Sequence, residues 1–192
     1  MFARFDIINH LISNNGYSKY LEIGVRDNRT FKVINAAHKD GVDPAGKCNY
    51  KMTSDDFFRQ LGKSFQYDIV FIDGLHVKDQ VLRDVDNSLA HLSPGGVIVL
   101  HDCSPKKPEH AIKKYKGYGV WNGTVWEAIA ELRMTRTDLS MWVVDTDHGC
   151  GIIKKGSQKL YPKTEIKFEL LEKDRKNLLN LISVDEFLKM GL

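Results

Sequence analysis

Two hydrophobic patterns alternate along the first 100 residues of the chain. Short apolar runs typical of buried strands, such as residues 68–73 and 97–100, are separated by segments in which apolar residues recur at helical spacing. Strands that alternate with helices are typical of βαβ units, in which the strands run parallel. The pattern therefore predicts an α/β fold built on a parallel sheet.

Capping residues and chain breakers set the limits of the predicted elements. Thr53 begins one helix, and the Ser-Pro-Gly-Gly run at 93–96 separates another helix from the next strand. The signal for a strand near Tyr50 is weak. In chain order we predict a helix at 5–12, a strand at 20–24, a helix at 29–37, a strand that ends at 41–44, a helix at 53–61, a strand at 68–73, a helix at 81–92, a strand at 97–100, a helix at 124–132, antiparallel strands at 141–144 and 151–155, and a helical tail at about 165–190.

Composition adds limits to this picture and changes it little. With 192 residues, 42% hydrophobic and 28% charged, the chain is typical of one domain that spans residues 1–192. No apolar run approaches the length of roughly 20 residues that crosses a bilayer, and the N-terminus lacks a signal-peptide pattern, so we expect a cytoplasmic protein. The cysteines form no CxxC pair and are expected to be reduced thiols. They are Cys48, Cys103 and Cys150.

The net charge of +3 is too small to require a polyanionic partner. Five lysines nevertheless lie close together in the connection that follows the strand at 97–100. The favoured interpretation is a solvated loop, and the alternative is a nucleic-acid-binding or nucleic-acid-modifying protein that uses this basic segment. The lysines are Lys106, Lys107, Lys113, Lys114 and Lys116.

Polar residues end the predicted parallel strands. Such strand ends meet at one edge of the sheet, where ligands bind in open α/β sheets. Asp43 lies about 20 residues after the glycine-containing loop at 22–28. This is the spacing of a carboxylate that accepts both hydroxyls of a ribose. The strand ends are Glu22 with Gly24, Asp43, Asp73, and His101 with Asp102. A nucleoside-containing ligand is therefore predicted at this edge.

Several motifs resemble those of the class I S-adenosylmethionine-dependent methyltransferases, and the resemblance covers nearly the whole chain. Tyr-Leu-Glu-Ile-Gly at 20–24 is similar to motif one, Gly-Val-Asp-Pro at 41–44 to motif two, and the run at 93–96 to the turn before strand five. Ile-Asp-Gly-Leu-His at 72–76 resembles the IDGxH signature of a small-molecule O-methyltransferase branch that includes macrolide-sugar enzymes. His101 with Asp102, and Trp-Asn-Gly-Thr-Val-Trp at 121–126, are similar to that branch as well.

The resemblance implies a fold, an activity and a cofactor. The fold is a Rossmann-like three-layer sandwich with a mostly parallel, seven-stranded sheet and an antiparallel strand near the C-terminal end. The activity is O-methylation of a hydroxyl on a sugar or another small molecule, with S-adenosylmethionine (SAM) as methyl donor. The implied cofactor contacts are Glu22 and Gly24 for the methionine end, Asn28 where many members have glycine, Asp43 for the ribose, Ser54 and Asp55 for the surroundings of the adenine, and Asp73.

O-methylation requires a second group of residues. The sulfonium methyl is already activated, so the protein has to align the acceptor oxygen and deal with its proton. His76, with a reference pKa of about 6.5, is the predicted general base, and Asp73 is the second predicted catalytic residue. Mg²⁺ is predicted at Asp73, His101 and Asp102, although metal-dependent sugar enzymes often have two acids in place of the His101–Asp102 pair. The simpler alternative is that the two aspartates cap loops and His76 begins a helix.

The acceptor pocket is predicted along the segment at 121–126. Trp121, Thr124 and Trp126 are the candidate residues for acceptor contacts. Buried tryptophans more often serve packing, which is the alternative for both of them. Asp147 and His148, in the connection between the last two predicted strands, are expected to be structural.

Three rival functions are left open by the sequence. An NAD-dependent oxidoreductase would use Asp43 equally well, but the loop after Glu22 lacks the second and third glycines that admit a pyrophosphate. The nucleic-acid alternative needs a continuous basic surface with stacking aromatics. A catalytically silent module that keeps the cofactor site is the third rival. The favoured partner is a small-molecule acceptor rather than nucleic acid or a membrane, and a homo-oligomer is compatible with the sequence.

Overall fold

Strands and helices alternate along residues 2–192, the part of the chain that the computed structural model describes. The strands are β1 (Lys19–Ile23), β2 (His38–Val42), β3 (Tyr67–Ile72), β4 (Leu92–Leu100), β5 (Leu139–Val144), β6 (Cys150–Lys155) and β7 (Leu181–Ile182). The helices are α1 (Arg4–Asn15), α2 (Ser54–Gln60), α3 (Lys78–Ala90), α4 (Val125–Thr135), α5 (Phe168–Leu178) and α6 (Val184–Lys189). Short 3-10 turns lie at Phe31–Val33 and Pro108–His110.

All seven of these strands form one sheet with the order β2-β1-β3-β4-β6-β5-β7. β1 is parallel to both β2 and β3, and β3 is parallel to β4. β6 runs antiparallel to β4 and to β5, and β7 is parallel to β5. The carboxyl ends of the first four strands therefore meet at one edge. The predicted mixed sheet, with an antiparallel strand near the C-terminal end, is confirmed.

Helices cover both faces of the sheet, which explains the continuous apolar runs of its central strands. In β3, Val70 and Ile72 are buried in one cluster with residues of α2, α3 and α4. Ile69 and Phe71 are buried in a second cluster with residues of α1 and α6. Successive strand residues point to opposite faces, so a single apolar run serves both layers. The predicted three-layer sandwich is therefore confirmed.

The Ser-Pro-Gly-Gly run at 93–96 forms a bulge inside β4 instead of a break before it. Leu92 pairs with Tyr67 and Val97 pairs with Ile69, so the run adds residues that have no partner on β3. The sequence places the irregularity correctly but begins the strand too late, because the single pair at Leu92 lies before the bulge.

The predicted helix at 29–37 is wrong, because only the 3-10 turn Phe31–Val33 forms there. Carbonyl oxygens of this segment bond to a side chain instead of to helical N–H groups. Nζ of Lys39 donates to the carbonyl oxygens of Phe31 and Ile34, at 2.8 and 3.1 Å. The β-branched residues of the segment also lower its helix propensity.

The C-terminal tail is not the single helix predicted for 165–190. α5 ends at Leu178, and Asn180 then adopts a left-handed backbone with φ of 48°. Nδ2 of Asn180 donates to the carbonyl oxygen of Met141 at 2.7 Å, which directs the chain into β7 at the edge of the sheet. Ser183 caps α6 through reciprocal hydrogen bonds with Glu186. This Ser-x-x-Glu signature is readable in the sequence and marks a second helix start.

Other sequence predictions have mixed outcomes. The segment near Tyr50 contributes only an isolated bridge to Val42, so the seventh strand is β7. The predicted cap at Thr53 is confirmed, since its hydroxyl accepts a hydrogen bond from the Asp56 amide at 3.1 Å. Among residues 2–192, no helix has the length and apolar character needed to span a membrane. The cysteines are free thiols, as predicted.

Candidate active site

The carboxyl ends of β1, β3 and β4 bring the main predicted site residues together. Gly24 follows β1, Asp73 follows β3, and His101 with Asp102 follows β4. Gly24 has a φ of +93°, and a Cβ at this position would collide with the backbone carbonyl of Asp73. Glycine is therefore required for the two loops to approach each other. As a result, the loop after β1 lies directly beside Asp73.

Glu22 is buried at the end of β1, and its surroundings favour the neutral carboxylic acid. Its Oε2 atom accepts a hydrogen bond of 2.5 Å from the Tyr20 hydroxyl. Burial raises the pKa of Glu22 to about 8; the Tyr20 hydrogen bond opposes this rise, and the Asp73 carboxylate adds to it. Glu22 can therefore carry a proton near neutral pH, so it can donate as well as accept a hydrogen bond.

Asp43 holds two loops together at the same edge. Its Oδ2 atom accepts the backbone N–H of Arg26 at 2.8 Å. Its Oδ1 atom accepts those of Ala45 and Gly46, at 2.8 and 2.6 Å. A carboxylate has about four lone-pair positions, so roughly one stays free for a ligand hydroxyl. Asp43 thus orders its surroundings and keeps some capacity for the predicted ribose contact.

Asn28 has a left-handed backbone, with φ of 68°, at the place where many methyltransferases have glycine. Asparagine tolerates this region better than most residues. Its Oδ1 atom is buried and has no hydrogen-bond partner in the part of the chain that the structure describes. Because an unsatisfied buried acceptor is unfavourable, a ligand with an N–H or O–H group would stabilise this position.

Ser54 and Asp55 belong to a polar cluster between α2 and α3. The Ser54 hydroxyl donates to Oδ1 of Asp84 at 2.6 Å. Nε2 of Gln80 donates to Ser54, Asp55 and Asp84. Burial raises the pKa of Asp84 to about 6, against the effect of these hydrogen bonds. Ser54 and Asp55 therefore have structural partners, and their place beside an adenine stays a prediction.

His76 lies between two carboxylates. Nε2 is 3.2 Å from Oδ1 of Asp73, and Nδ1 is 3.1 Å from Oδ2 of Asp102. Nδ1 also lies 3.3 Å from the carbonyl oxygen of Trp121. Burial alone would lower the pKa of His76, but the hydrogen bond to Asp73 and the charge of Asp102 raise it above its ordinary value. The two carboxylates thus stabilise the protonated ring, whereas only the neutral ring can act as a base.

Asp73 also contacts a second histidine. Its Oδ1 atom is 3.2 Å from Nδ1 of His101 as well as 3.2 Å from His76. Burial would raise the pKa of Asp73, but the neighbouring His101 and His76 hold it well below its usual range. Asp73 is therefore ionised near neutral pH and links the loop after β1 to two imidazole rings.

The segment before α4 packs His76 and Asp102 into the site. The Trp121 indole stacks on the His76 ring, with centroids 4.9 Å apart and an interplanar angle of 19°. A Cβ at Gly123 would collide with the carbonyl oxygen of His76. Nδ2 of Asn122 donates to Oδ1 of Asp102 at 2.5 Å. Trp121 thus lies beside the predicted base, as its candidate acceptor role requires, and Asn122 is a site residue that sequence reasoning missed inside a recognised motif.

Thr124 and Trp126 have structural partners. Oγ1 of Thr124 accepts a hydrogen bond from the Lys78 amide at 2.8 Å and so caps α3. Trp126 is buried and packs edge-on against Phe168, with ring centroids 6.0 Å apart. These contacts favour the packing interpretation for Trp126. An acceptor role for either residue stays a prediction.

Two residues that the sequence did not mark as functional complete the site. Nη1 of Arg4, in the first turn of α1, lies 2.7 Å from Oδ2 of Asp147 and 2.9 Å from Nε2 of His101. Asp147 lies in the turn between β5 and β6, with Oδ1 3.5 Å from Nε2 of His101. An arginine on a helix and an aspartate in a turn carry no motif. Only the folded chain brings them together at His101.

Three side chains are placed to hold a cation. Donor atoms of Asp73, His76 and Asp102 all lie within 4.8 Å of one another. His101, which was the predicted third ligand, has Nε2 beside Arg4, and its Nδ1 atom lies 3.2 Å from Asp73 and 3.4 Å from Asp102. Two carboxylates with one imidazole suit a divalent cation that accepts mixed oxygen and nitrogen ligands. The chemistry of this donor set therefore fits the predicted class of metal.

The lysine-rich segment at 106–116 forms a loop beside the site. Lys106 pairs with Asp145 at 2.8 Å on the surface. Tyr115 packs against Trp121, with ring centroids 5.4 Å apart, and is itself nearly half exposed. The loop thus reaches the ring that stacks on His76. This arrangement favours a solvated loop that borders the predicted acceptor pocket.

The strand ends described above lie within a recognised domain. Residues 14–103, a little under half of the chain, match the family described as a methyltransferase domain. This part of the chain is similar to a methyltransferase domain. The match includes every strand end from Glu22 to Asp102. Together with the sheet topology, it confirms the likeness to the class I SAM-dependent methyltransferases, whereas the narrower IDGxH branch stays a prediction.

Solved structures of methyltransferases share this fold. A Klebsiella pneumoniae protein provisionally assigned as an O-methyltransferase has a TM-score of 0.60 at 13% identity, over 80% of each chain. The O-methyltransferase TomG of tomaymycin synthesis, from Streptomyces achromogenes and with SAM bound, has a TM-score of 0.53 at 13% identity, over 79% of each chain. A SAM-bound amino pentose methyltransferase from Micromonospora echinaspora has a TM-score of 0.52 at 13% identity, over 79% of this chain and 89% of its own. No curated protein matches the chain.

Proposed function

We propose that this methyltransferase domain uses SAM to methylate a hydroxyl group of a small molecule. The observation that carries the proposal is the position of Asp73. Its backbone packs against Gly24 of the loop after β1, and its Oδ1 atom lies 3.2 Å from His76. The predicted cofactor loop and the predicted base are therefore adjacent, as transfer of a methyl group to a nearby oxygen requires.

Features of the same sheet edge support SAM as the methyl donor. Asp43 keeps acceptor capacity for a ribose hydroxyl beside its backbone hydrogen bonds. The unpartnered Oδ1 atom of Asn28 would accept a hydrogen bond from an amino group such as that of methionine. Glu22, which can be neutral or charged, ends the strand that leads into this loop. The match to a methyltransferase domain adds independent support for this cofactor class.

The chain's own residues would orient the acceptor and take its proton. The sulfonium methyl needs no activation, so the rate depends on alignment and on proton removal. Trp121 offers a flat apolar surface beside His76 on which an acceptor can lie. Once neutral, His76 takes the hydroxyl proton, and the flanking Asp73 and Asp102 stabilise the imidazolium that forms.

A divalent cation is compatible with this arrangement. Asp73 and Asp102 supply carboxylate oxygens of the kind that Mg²⁺ prefers, and an imidazole in the set also suits Mn²⁺ or Zn²⁺. When bound, such a cation lowers the pKa of an acceptor hydroxyl. Because the protonated His76 ring occupies the same two carboxylates, we expect cation and ring proton to compete for them.

The proposed acceptor is a sugar or another small hydroxylated molecule. Relatives in fold include an amino pentose methyltransferase and an O-methyltransferase of tomaymycin synthesis, and we extend their acceptor class to this chain. The exposed side chains of Leu75 and Tyr115, near His76 and Trp121, offer apolar surface for such a ring.

Transfer of tritiated methyl groups from SAM to a panel of sugars, phenols and carboxylic acids tests the proposal. We expect label in at least one hydroxyl-bearing compound. Label confined to carboxylic acids would contradict hydroxyl methylation. SAM binding without transfer to any member of a broad panel would favour the catalytically silent alternative.

A further inference from the structure

The turn between β5 and β6 has an uncommon backbone. Asp147, His148 and Gly149 all have positive φ, at 45°, 64° and 88°. Consecutive non-glycine residues in this region are rare, and such strain persists where surrounding contacts hold it. Here the amides of Cys103 and Ser104 donate to the carbonyl oxygens of Gly149 and His148, at 3.0 and 2.8 Å. The turn is thus fastened to the segment that follows β4.

This turn directs the Asp147 carboxylate at Arg4 and His101. Oδ2 of Asp147 accepts hydrogen bonds from the backbone N–H and from Nη1 of Arg4, at 3.1 and 2.7 Å. Oδ1 lies 3.5 Å from Nε2 of His101. Nε of Arg4 also donates to the Thr30 hydroxyl at 3.2 Å, which holds the guanidinium in place. The Arg4–Asp147 pair therefore meets His101 on the side that faces away from Asp73.

Arg4 and Asp147 both approach Nε2 of His101, Arg4 with a donor and Asp147 with an acceptor. Nη1 of Arg4 lies 2.9 Å from Nε2, and the Asp147 carboxylate lies beside it. On the opposite side of the ring, Nδ1 lies 3.2 Å from Oδ1 of Asp73. The ring of His101 is buried and is contacted at both nitrogens. Its rotation is therefore restricted by charged partners from α1, β3 and the turn after β5.

We propose that Arg4 and Asp147 are positioning residues for the reaction centre. They fix the His101 ring so that Nδ1 faces Asp73, which in turn keeps the Asp73 carboxylate directed at His76. A partly buried ion pair adds little net stability, because desolvation offsets its attraction. We therefore interpret the strained turn that carries Asp147 as a feature that orients the His101 ring rather than one that stabilises the fold. The kinetic part of this inference rests on the proposed methyl transfer, whereas the orientation itself does not.

Side-chain ¹H–¹⁵N spectra of the histidines in the full chain test the orientation. The His101 signals are assigned by their loss in His101→Gln. We expect Arg4→Met and Asp147→Asn each to shift the His101 ring signals. The controls Arg59→Met and Asp86→Asn remove exposed ion pairs elsewhere and should leave those signals in place. Unchanged His101 signals in both Arg4→Met and Asp147→Asn would overturn the proposal.

Steady-state kinetics separates positioning from packing. With an acceptor from the panel, Arg4→Met should lower kcat by about 10- to 100-fold, the effect of a small misplacement of a reacting group, with the KM for SAM unchanged. Arg4→Lys, which keeps a cationic donor, should recover part of the loss and serves as the second variant if Arg4→Met folds poorly. Lower thermal stability with unchanged kcat would overturn the proposal and assign the pair to packing. Absence of SAM binding would instead count against the proposed function, and the spectra would still decide the orientation.

Discussion

Nε2 of His76 lies 3.2 Å from Oδ1 of Asp73 in the loop that follows β3. The other ring nitrogen lies 3.1 Å from the Asp102 carboxylate, so the imidazole spans two negative charges. Burial opposes protonation of the ring, but the two carboxylates raise the pKa of His76 above its ordinary value. The carboxylates therefore stabilise the imidazolium form, and only the neutral ring can act as a base.

The pH profile of methyl transfer should have its acidic limb above pH 6.5. The unperturbed pKa of histidine is about 6.5, and that of His76 is raised. Since only the neutral ring accepts a proton, kcat should increase as pH rises through this raised pKa. His76→Ala should remove the limb and lower kcat by roughly 100-fold or more. A limb centred below pH 6.5, or one that survives in the variant, would contradict the base role.

The two tryptophans of the segment at 121–126 should respond differently to substitution. Trp126→Ala empties a core position and should lower the free energy of unfolding by about 3–5 kcal/mol. Trp121→Ala removes a partly exposed ring that stacks on His76, so its main effect should be on kcat or on the KM of the acceptor. Urea unfolding and kinetics of both variants check this. Equal losses of stability would argue against a site role for Trp121.

Divalent cations should bind through the acidic residues around His76. With Mn²⁺ as the probe, electron paramagnetic resonance should detect a bound ion that is lost in Asp102→Asn, because Asp102 supplies one of the clustered donor atoms. Chelation should then suppress transfer without releasing the cofactor, since the two positions adjoin but do not coincide. The cation site would be contradicted if Mn²⁺ stays free in the presence of the wild-type chain and turnover is insensitive to chelators. Proton removal by His76 and alignment of the acceptor would then account for transfer without a metal.

The cluster between α2 and α3 should make the chain less stable as pH rises from 4 to 7. The pKa of Asp84 in the folded chain is raised to about 6, mainly by burial, against about 3.9 when unfolded. Between these values the folded state binds more protons than the unfolded state, so stability falls as pH rises, by on the order of 2–3 kcal/mol. Urea unfolding at pH 4.5 and 7.5 should show this decline, and Asp84→Asn should reduce it. The same decline in the variant would assign it to other groups.

The sheet edge could be predicted because strand ends are local features of the sequence. Asp73, His101 and Asp102 each follow a continuous apolar run, and parallel strands bring such ends together. The close approach of Gly24 to the Asp73 backbone, by contrast, is visible only in the folded chain. Both histidines contact Asp73 and Asp102, His76 through its two ring nitrogens and His101 through Nδ1 alone. This finer pairing depends on side-chain geometry that spacing alone does not define.

The rest of the site depends on contacts between distant parts of the chain. Arg4 and Asp147 are separated by 143 residues and meet only because α1 and the turn after β5 pack on the same end of β4. The failed helix at 29–37 has a similar cause, since the Lys39 side chain from β2 takes carbonyl oxygens that a helix would use. Helix propensity depends on the local sequence and therefore does not reflect contacts with distant residues.

Replacement of Asp43 should weaken cofactor binding. Asp43→Asn removes the charge from a hydrogen bond to a ribose hydroxyl, so affinity should fall by on the order of 1.5–3 kcal/mol, roughly 10- to 150-fold in Kd. The melting temperature should fall as well, because the carboxylate also accepts three backbone N–H groups. The control Asp27→Asn removes an exposed charge from the loop after β1, where Asp27 pairs with Arg29. It should bind cofactor like the wild-type chain.

Calorimetric titration of the wild-type chain with S-adenosylhomocysteine, the demethylated cofactor, tests whether this sheet edge binds a methyl donor. We expect one site with a Kd in the micromolar range, about −8 kcal/mol, weakened in Asp43→Asn and retained in Asp27→Asn. NAD should give no heat under the same conditions, because the loop after β1 lacks the glycines that admit a pyrophosphate. A chain that binds neither S-adenosylhomocysteine nor SAM would contradict the assignment of this sheet edge as a methyl-donor site.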